Sequence, residues 1–180
     1  EDFINKFANV YRYVLDSRMK ELVPIDEELK HLEDYLFLMK IRFGEGFKIN
    51  IEISQPSGKI VPMTLQMLVE NIFKHNNLSI SEPLSISILQ QGEYIVVSNN
   101  ILRRQHVEKS GVGLENIKER YKHLGSKEMN INQTEDVFSV EILKKQLSKI
   151  HLEGIKKFFL NSDNLENALK WLMSRILNNM

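Results

Sequence analysis

The spacing of apolar residues switches along this chain from three-and-four to two and back again, and that alternation limits the available folds more than any single motif. Phe3, Phe7, Val10, Tyr11, Val14 and Leu15 recur at helical spacing. After a break at Glu21-Leu22-Val23-Pro24 the same period returns in Leu29, Leu32, Leu36 and Met39. This predicts a helical hairpin over 2–20 and 25–43, with Pro24 or Asp26 near the second start and Gly44 beyond its end. Ile49, Ile51 and Ile53 then alternate with Asn50, Glu52 and Ser54, the pattern of a strand with one buried face. Helical spacing resumes over 63–76. Leu84–Ile88 and Tyr94–Val97 read as strands joined at Gly92, the second without alternation and so central in a sheet. A helix over about 113–124 and a hairpin of Met129–Ile131 with Phe138–Ile142 complete the pattern.

Helices and strands in irregular alternation predict an α+β sandwich, with a mixed sheet covered on one face by helices. Residues 147–180 return to helical spacing through Phe158, Phe159, Leu165, Leu169, Leu172 and Ile176, a C-terminal helical extension. The expected division is a helical connector at 1–45, a sheet domain at 46–146 and the extension at 147–180.

Composition removes several function classes. Lys+Arg and Asp+Glu each total 24, so the net charge is zero, which argues against nucleic acid as a partner. The absence of cysteine excludes disulfides, thiolate nucleophiles and zinc-thiolate sites. No uncharged apolar run is long enough to span a bilayer, so the chain is expected to be soluble.

Two segments carry polar chemistry. On the helix at 63–76, Glu70, Asn71, Lys74 and His75 share an arc opposite Leu65, Leu68, Val69 and Ile72. Downstream, Ser110-Gly111-Val112-Gly113-Leu114 places a glycine pair before a helix, where backbone N–H groups and the helix dipole suit a polyphosphate. Both flank the strand that exits through Asn99-Asn100. Tyr11, Tyr13, Phe37 and Phe43 are expected to pack within the helical hairpin. Asp2, Glu27, Glu28, Glu33 and Asp34 read as solvated helix faces, and His31 as a partly exposed histidine between helices.

Leu65-Gln66-Met67-Leu68-Val69-Glu70-Asn71-Ile72-Phe73-Lys74-His75-Asn76 resembles the N box of the GHKL ATPases in the form used by LytS/YehU-type sensor histidine kinases. Ser110–Tyr121 resembles the second glycine box of that family. Tyr11-Arg12-Tyr13-Val14-Leu15, Leu22-Val23-Pro24-Ile25 and Arg42-Phe43-Gly44 resemble its helical connector. The likeness extends over about 1–145. It implies a Bergerat two-layer sandwich that binds ATP with Mg²⁺, phosphorylates a histidine and passes the phosphoryl group to a response regulator.

By the same resemblance, Asn71 holds Mg²⁺ and Lys74 faces the phosphates. Glu70 orients the attacking group, and His75 takes an N-box position that relatives fill with an aromatic or His. Gly111 and Gly113 let the chain close over the phosphates, with Ser110 and Leu114 beside them. Residues 101–110 form an ATP lid, in which Arg103, Arg104 and Lys109 neutralise charge. Asn99-Asn100-Ile101 stands where relatives carry Asp-x-Gly-x-Gly, so the acceptor for the adenine amino group becomes a neutral amide, which makes a weaker bond. The family's phosphoacceptor box lies upstream of the Tyr-Arg-Tyr helix and is expected outside this chain. The resemblance further implies a homodimer in the full-length kinase, and a cytoplasmic placement for this part of a bacterial inner-membrane-anchored protein, with membrane contact only through segments absent here. The alternative is a catalytically inactive GHKL-fold interaction module that regulates a partner.

Overall fold

The computed structural model describes residues 1–17, 20–54, 56–102, 112–123 and 129–144. Helix α1 spans Asp2–Ser17, a two-residue strand β1 Val23–Pro24 follows, and α2 runs from Ile25 to Phe43. After a single 3₁₀ turn come β2 (Phe47–Glu52), β3 (Lys59–Ile60), α3 (Thr64–His75), β4 (Leu84–Gln91) and β5 (Tyr94–Asn100). Helix α4 (Val112–His123) and strands β6 (Met129–Gln133) and β7 (Val137–Leu143) complete the described order.

Five strands form one sheet in the order β2-β4-β5-β7-β6. β2 pairs with β4 in parallel and the other three pairings are antiparallel, so the sheet is mixed. β5 is the central strand, as its apolar content predicts. Its buried residues nevertheless alternate, with Ile95, Val97 and Asn99 on one face. A small antiparallel ribbon, Val23 opposite Ile60, ties β1 to β3. The architecture is the expected α+β arrangement.

Helix ends follow local chemistry. α1 is described as far as Ser17, whose hydroxyl turns back to the Val14 carbonyl at 3.4 Å, and residue 20, the expected end of the helix, lies outside it. α2 has Pro24 rather than Asp26 as its N-cap, carries Asp26, Glu27 and Glu28 in its first turn and Lys40 and Arg42 in its last, and so complements its own dipole at both ends. It closes on Gly44 at φ 53°, whose N–H reaches the Lys40 carbonyl.

α2 packs into the core of the sheet domain. Ile25, Leu32, Tyr35 and Leu36 are buried in the same core as Leu65, Val69 and Phe73 of α3 and Phe47 of β2. Phe73 meets the Phe47 ring edge-on at 4.8 Å and Phe43 at 5.8 Å. The expected boundary at 45/46 therefore cuts through a continuous core. The chain divides into Glu1–Lys145 and Gln146–Met180, and the helices expected over 147–180 lie outside the described residues.

Three further expectations are corrected by burial. Glu28 is fully buried, Asp34 is 5% exposed and His31 is 4% exposed, so none of them lies on a solvated face. Tyr13 and Phe43 pack as expected, whereas Tyr11 is 61% exposed and Phe37 is exposed as well. With Phe3, Ile4, Phe7 and Leu15, Tyr11 forms an exposed apolar row along α1.

The deepest polar contact joins α2 to α3. Met63, at φ 64°, precedes α3 and its side chain cannot cap a helix. The Glu28 carboxylate takes that place, accepting from Met63 N and Leu65 N at 2.9 Å each and from the Tyr13 hydroxyl at 2.5 Å. Burial pushes the Glu28 carboxyl up while these three donors pull against it. Burial, then the Glu28 charge, push the Tyr13 hydroxyl far above its usual range, which keeps it a donor. At the other end of α1, Lys6 Nζ and Asn9 Nδ2 donate to Asp34 at 2.5 and 3.0 Å. Burial raises the Asp34 carboxyl, but the hydrogen bonds from Lys6 and Asn9 outweigh it, and the net direction is downward.

Two outcomes are expected. Glu28→Ala strands two backbone N–H groups and a buried hydroxyl and should cost about 3–5 kcal/mol in urea unfolding, with Glu28→Gln losing less because its amide oxygen still accepts. A loss under about 1 kcal/mol for the alanine variant would remove Glu28 as the anchor. Because the folded Asp34 value is depressed, its contribution is complete above the ordinary Asp range and disappears as pH falls through the lowered value. The stability gap between parent and Asp34→Asn should therefore shrink on acidification; parallel curves would contradict this.

Candidate functional site

The polar arc expected on α3 divides into two sides. Asn71 and His75 follow Thr64 by seven and eleven residues, which at about 100° per residue brings both within about 20° of it. Thr64 meets Tyr121 of α4, so this side faces α4. Glu70 follows Gln66 by one turn, and Gln66 is hydrogen-bonded to His31 of α2, so Glu70 faces α2. Glu70 and Lys74 line a cavity of about 380 Å³ together with Tyr35, Arg42 and Phe43. Burial, and then the Glu70 charge, push the Tyr35 hydroxyl up. Burial and the neighbouring Lys74 lower the His75 imidazole, which keeps it neutral near pH 7.

At the exit of β5, Asn99 is 3% exposed and shares the helix-covered face with Ile95 and Val97. Its Nδ2 donates to the Asn100 carbonyl at 2.6 Å, while its Oδ1 is buried without a partner. A buried acceptor left open costs free energy unless a donor arrives. Asn100 alternates to the other face, and its Oδ1 accepts the Ser85 amide at 2.7 Å, extending the β4–β5 contact.

The end of α3 holds the chain beyond β5. Asn76, 5% exposed, donates to the Ile72 carbonyl at 2.9 Å and accepts from Leu102 N at 2.8 Å. Asn77 N reaches the Leu102 carbonyl at 2.7 Å, so both backbone groups of Leu102 are tied to the C-terminal end of α3. α4 begins at Val112, with Gly113 and the half-buried Leu114 in its first turn. The expected lid residues Arg103, Arg104 and Lys109, with Ser110 and Gly111, lie outside the described residues.

α4 is seated against the turn that starts α3. Tyr121 is 1% exposed, its hydroxyl accepts Val61 N at 3.4 Å, and burial pushes it up to about 12. Arg120 donates to the Pro62 carbonyl at 3.1 Å. The structure thus turns Asn71 and His75 toward α4, which carries Leu114, and sets Glu70 and Lys74 toward α2, while Asn99 lies on the helix-covered face of the sheet. Among the described residues no three His, Asp or Glu side chains are grouped to hold a metal ion.

Sequence reasoning missed Glu28, Asn76, Arg120 and Tyr121 as the groups that position these elements. Asn76 could have been found, since an Asn directly after a helix of this period is a capping signal. The partners of Glu28, Arg120 and Tyr121 are distant in sequence and left no local trace.

A family model described as histidine kinase matches residues 1–47, which run from α1 through β1 and α2 to the first residue of β2. The sensor protein kinase HptS of Staphylococcus aureus is 30% identical over 131 residues, covering 68% of this chain and 24% of that protein. The sensor protein LytS of Enterococcus faecalis is 24% identical over 167 residues, covering 82% of this chain and 27% of LytS. The chain belongs with the LytS-type histidine kinases. It spans about a quarter of the length of these curated relatives. The catalytic domain of the histidine kinase ThkA aligns with a TM-score of 0.45 at 18% identity, covering 69% of this chain and 97% of that one. In this LytS-type chain the family-model match falls on the helical pair, whereas the resemblance drawn from sequence leaned on α3 and the segment before α4.

Asn76→Ala should release Leu102: amide exchange at Leu102 should quicken and stability should fall by about 1–3 kcal/mol, the cost of leaving buried polar groups unmatched. Unchanged exchange at Leu102 would show that Asn76 does not hold this exit.

Proposed function

We propose that this chain is the nucleotide-binding catalytic part of a two-component sensor histidine kinase, taking ATP with Mg²⁺ on the α4 side of α3. The observation that carries the reading is the buried, unpartnered Oδ1 of Asn99, which can accept the adenine amino group from within the core face. Asn71 offers a hard amide oxygen to Mg²⁺, which when bound would neutralise phosphate charge. His75, held neutral, lies beside Asn71 against the nucleotide. By the resemblance, Ser110, Gly111, Gly113 and Leu114 belong beside the phosphates and Arg103 would add positive charge, while Asn100 fixes the strand end behind Asn99. A histidine on a segment outside this chain attacks the γ-phosphorus, the bond to the bridging oxygen breaks, ADP leaves, and the imidazole proton passes to water; Glu70 and Lys74, set toward α2, take no part on the α4 side. The phosphoryl group then moves to a response regulator.

The exposed row Phe3, Ile4, Phe7, Tyr11 and Leu15 supports a homodimer of the full-length kinase through α1. Membrane attachment would come from segments outside this chain, leaving this part on the cytoplasmic side; among the described residues no helix is long and apolar enough to cross a membrane. A second reading, an inactive interaction module, is favoured by the neutral Asn99 and by the engagement of Asn100 with Ser85.

Calorimetry and melting with and without Mg²⁺ separate the two. ATP at 100 times its Kd should add about 2.7 kcal/mol of stability. Asn71→Ala should abolish the Mg²⁺-dependent binding without unfolding the chain, and Asn99→Ala should weaken binding by several-fold to about ten-fold, the worth of one neutral hydrogen bond. No binding by the parent would favour the inactive module, and full affinity in Asn99→Ala would remove Asn99 from the site.

A further inference from the structure

α1 reaches α3 through two α2 side chains, and one α1 residue touches both. Tyr13 donates to Glu28 Oε2 at 2.5 Å, and its ring stacks on His31 with centroids 4.0 Å apart and planes 18° from parallel. Glu28 passes on to Met63 N and Leu65 N at 2.9 Å. His31 Nε2 passes on to Gln66 Oε1, also on α3. Both paths end within residues 63–66, the first turn of the helix that carries Asn71 and His75.

We infer that Tyr13 is a positioning residue that couples the placement of α1 to nucleotide binding, through Glu28 and through His31 with Gln66. This rests on the proposed nucleotide site. α3 is a single helix of 12 residues, so a displacement of its first turn is carried to Asn71 and His75 one and a half to three turns on. The first turn has few ways to adjust. Met63 is held at positive φ, and both Glu28 oxygens are committed. The route is polar and stacked, so it responds to the rotation of α1 as well as to its distance. Linkage makes the coupling reciprocal: a nucleotide that fixes α3 also fixes α1.

Tyr13→Phe is the informative variant, because it keeps the ring on His31 and removes only the hydroxyl that reaches Glu28. Asn5→Ser, an exposed α1 residue outside the apolar row, serves as the control. Both are measured in the full chain at a temperature where each is fully folded, by amide exchange and by Mg-ATP calorimetry. In Tyr13→Phe, exchange at Met63, Leu65 and Gln66 should rise by about ten-fold, as for one lost hydrogen bond. The rise should extend to Asn71 and His75 and leave β7 unchanged, and ATP should bind about five-fold or more weakly. Asn5→Ser should match the parent in both readouts. Parent-like exchange in α3 of Tyr13→Phe, or the same changes in Asn5→Ser, would overturn the coupling and leave Tyr13 as packing alone. If the parent itself binds no Mg-ATP, the nucleotide reading fails, and exchange along α3 decides whether Tyr13 positions that helix.

Discussion

A buried carboxylate organises this molecule. Glu28 has no solvent exposure, and a charge placed there without partners would be expelled or neutralised. It persists because α3 begins at that point: two orphan N–H groups and the positive end of the helix dipole need an acceptor that the local sequence, with Met63 before Thr64, does not provide. The cap is supplied from α2. Two helices separated by β2 and β3 thereby become one mechanical piece, and the turn 61–63 becomes a junction that α4 also grips through Tyr121 and Arg120.

The α4-facing side of α3 depends on that junction. Asn71 and His75 have their direction set by the phase of α3, and the phase is set where the helix starts. At its other end Asn76 and Asn77 bind Leu102, so the same helix also positions the chain leaving β5. Asn99 lies on the β5 face shared with Ile95 and Val97, with its oxygen still open. Anchoring at both ends of one helix fixes how α3 meets α4 and the chain leaving β5.

Periodicity made the elements legible. Each described helix and each long strand was visible in the spacing of Leu, Ile, Val and Phe, because burial on one face is a local pattern. Partnership was not visible. Glu28 and Asp34 have the surroundings of surface charges in sequence and become buried only because Tyr13, Lys6 and the α3 backbone arrive from elsewhere. His31 was recognisable as interhelical, yet its burial depends on Tyr13 above it and Gln66 beyond. The polar arc of α3 was read correctly as an arc. Its division between α2 and α4 depends on which helices flank it, and no residue on α3 encodes that.

Among the described residues the sheet ends in β2 and β6. β6 is five residues long and exposes Asn130, Asn132 and Gln133, while β2 exposes Lys48, Asn50 and Glu52. A further strand added to either side would have to strip water from amide and charged side chains at alternate positions. The same residues that look idle on the terminal strands therefore work against extending the sheet by backbone pairing with a neighbour.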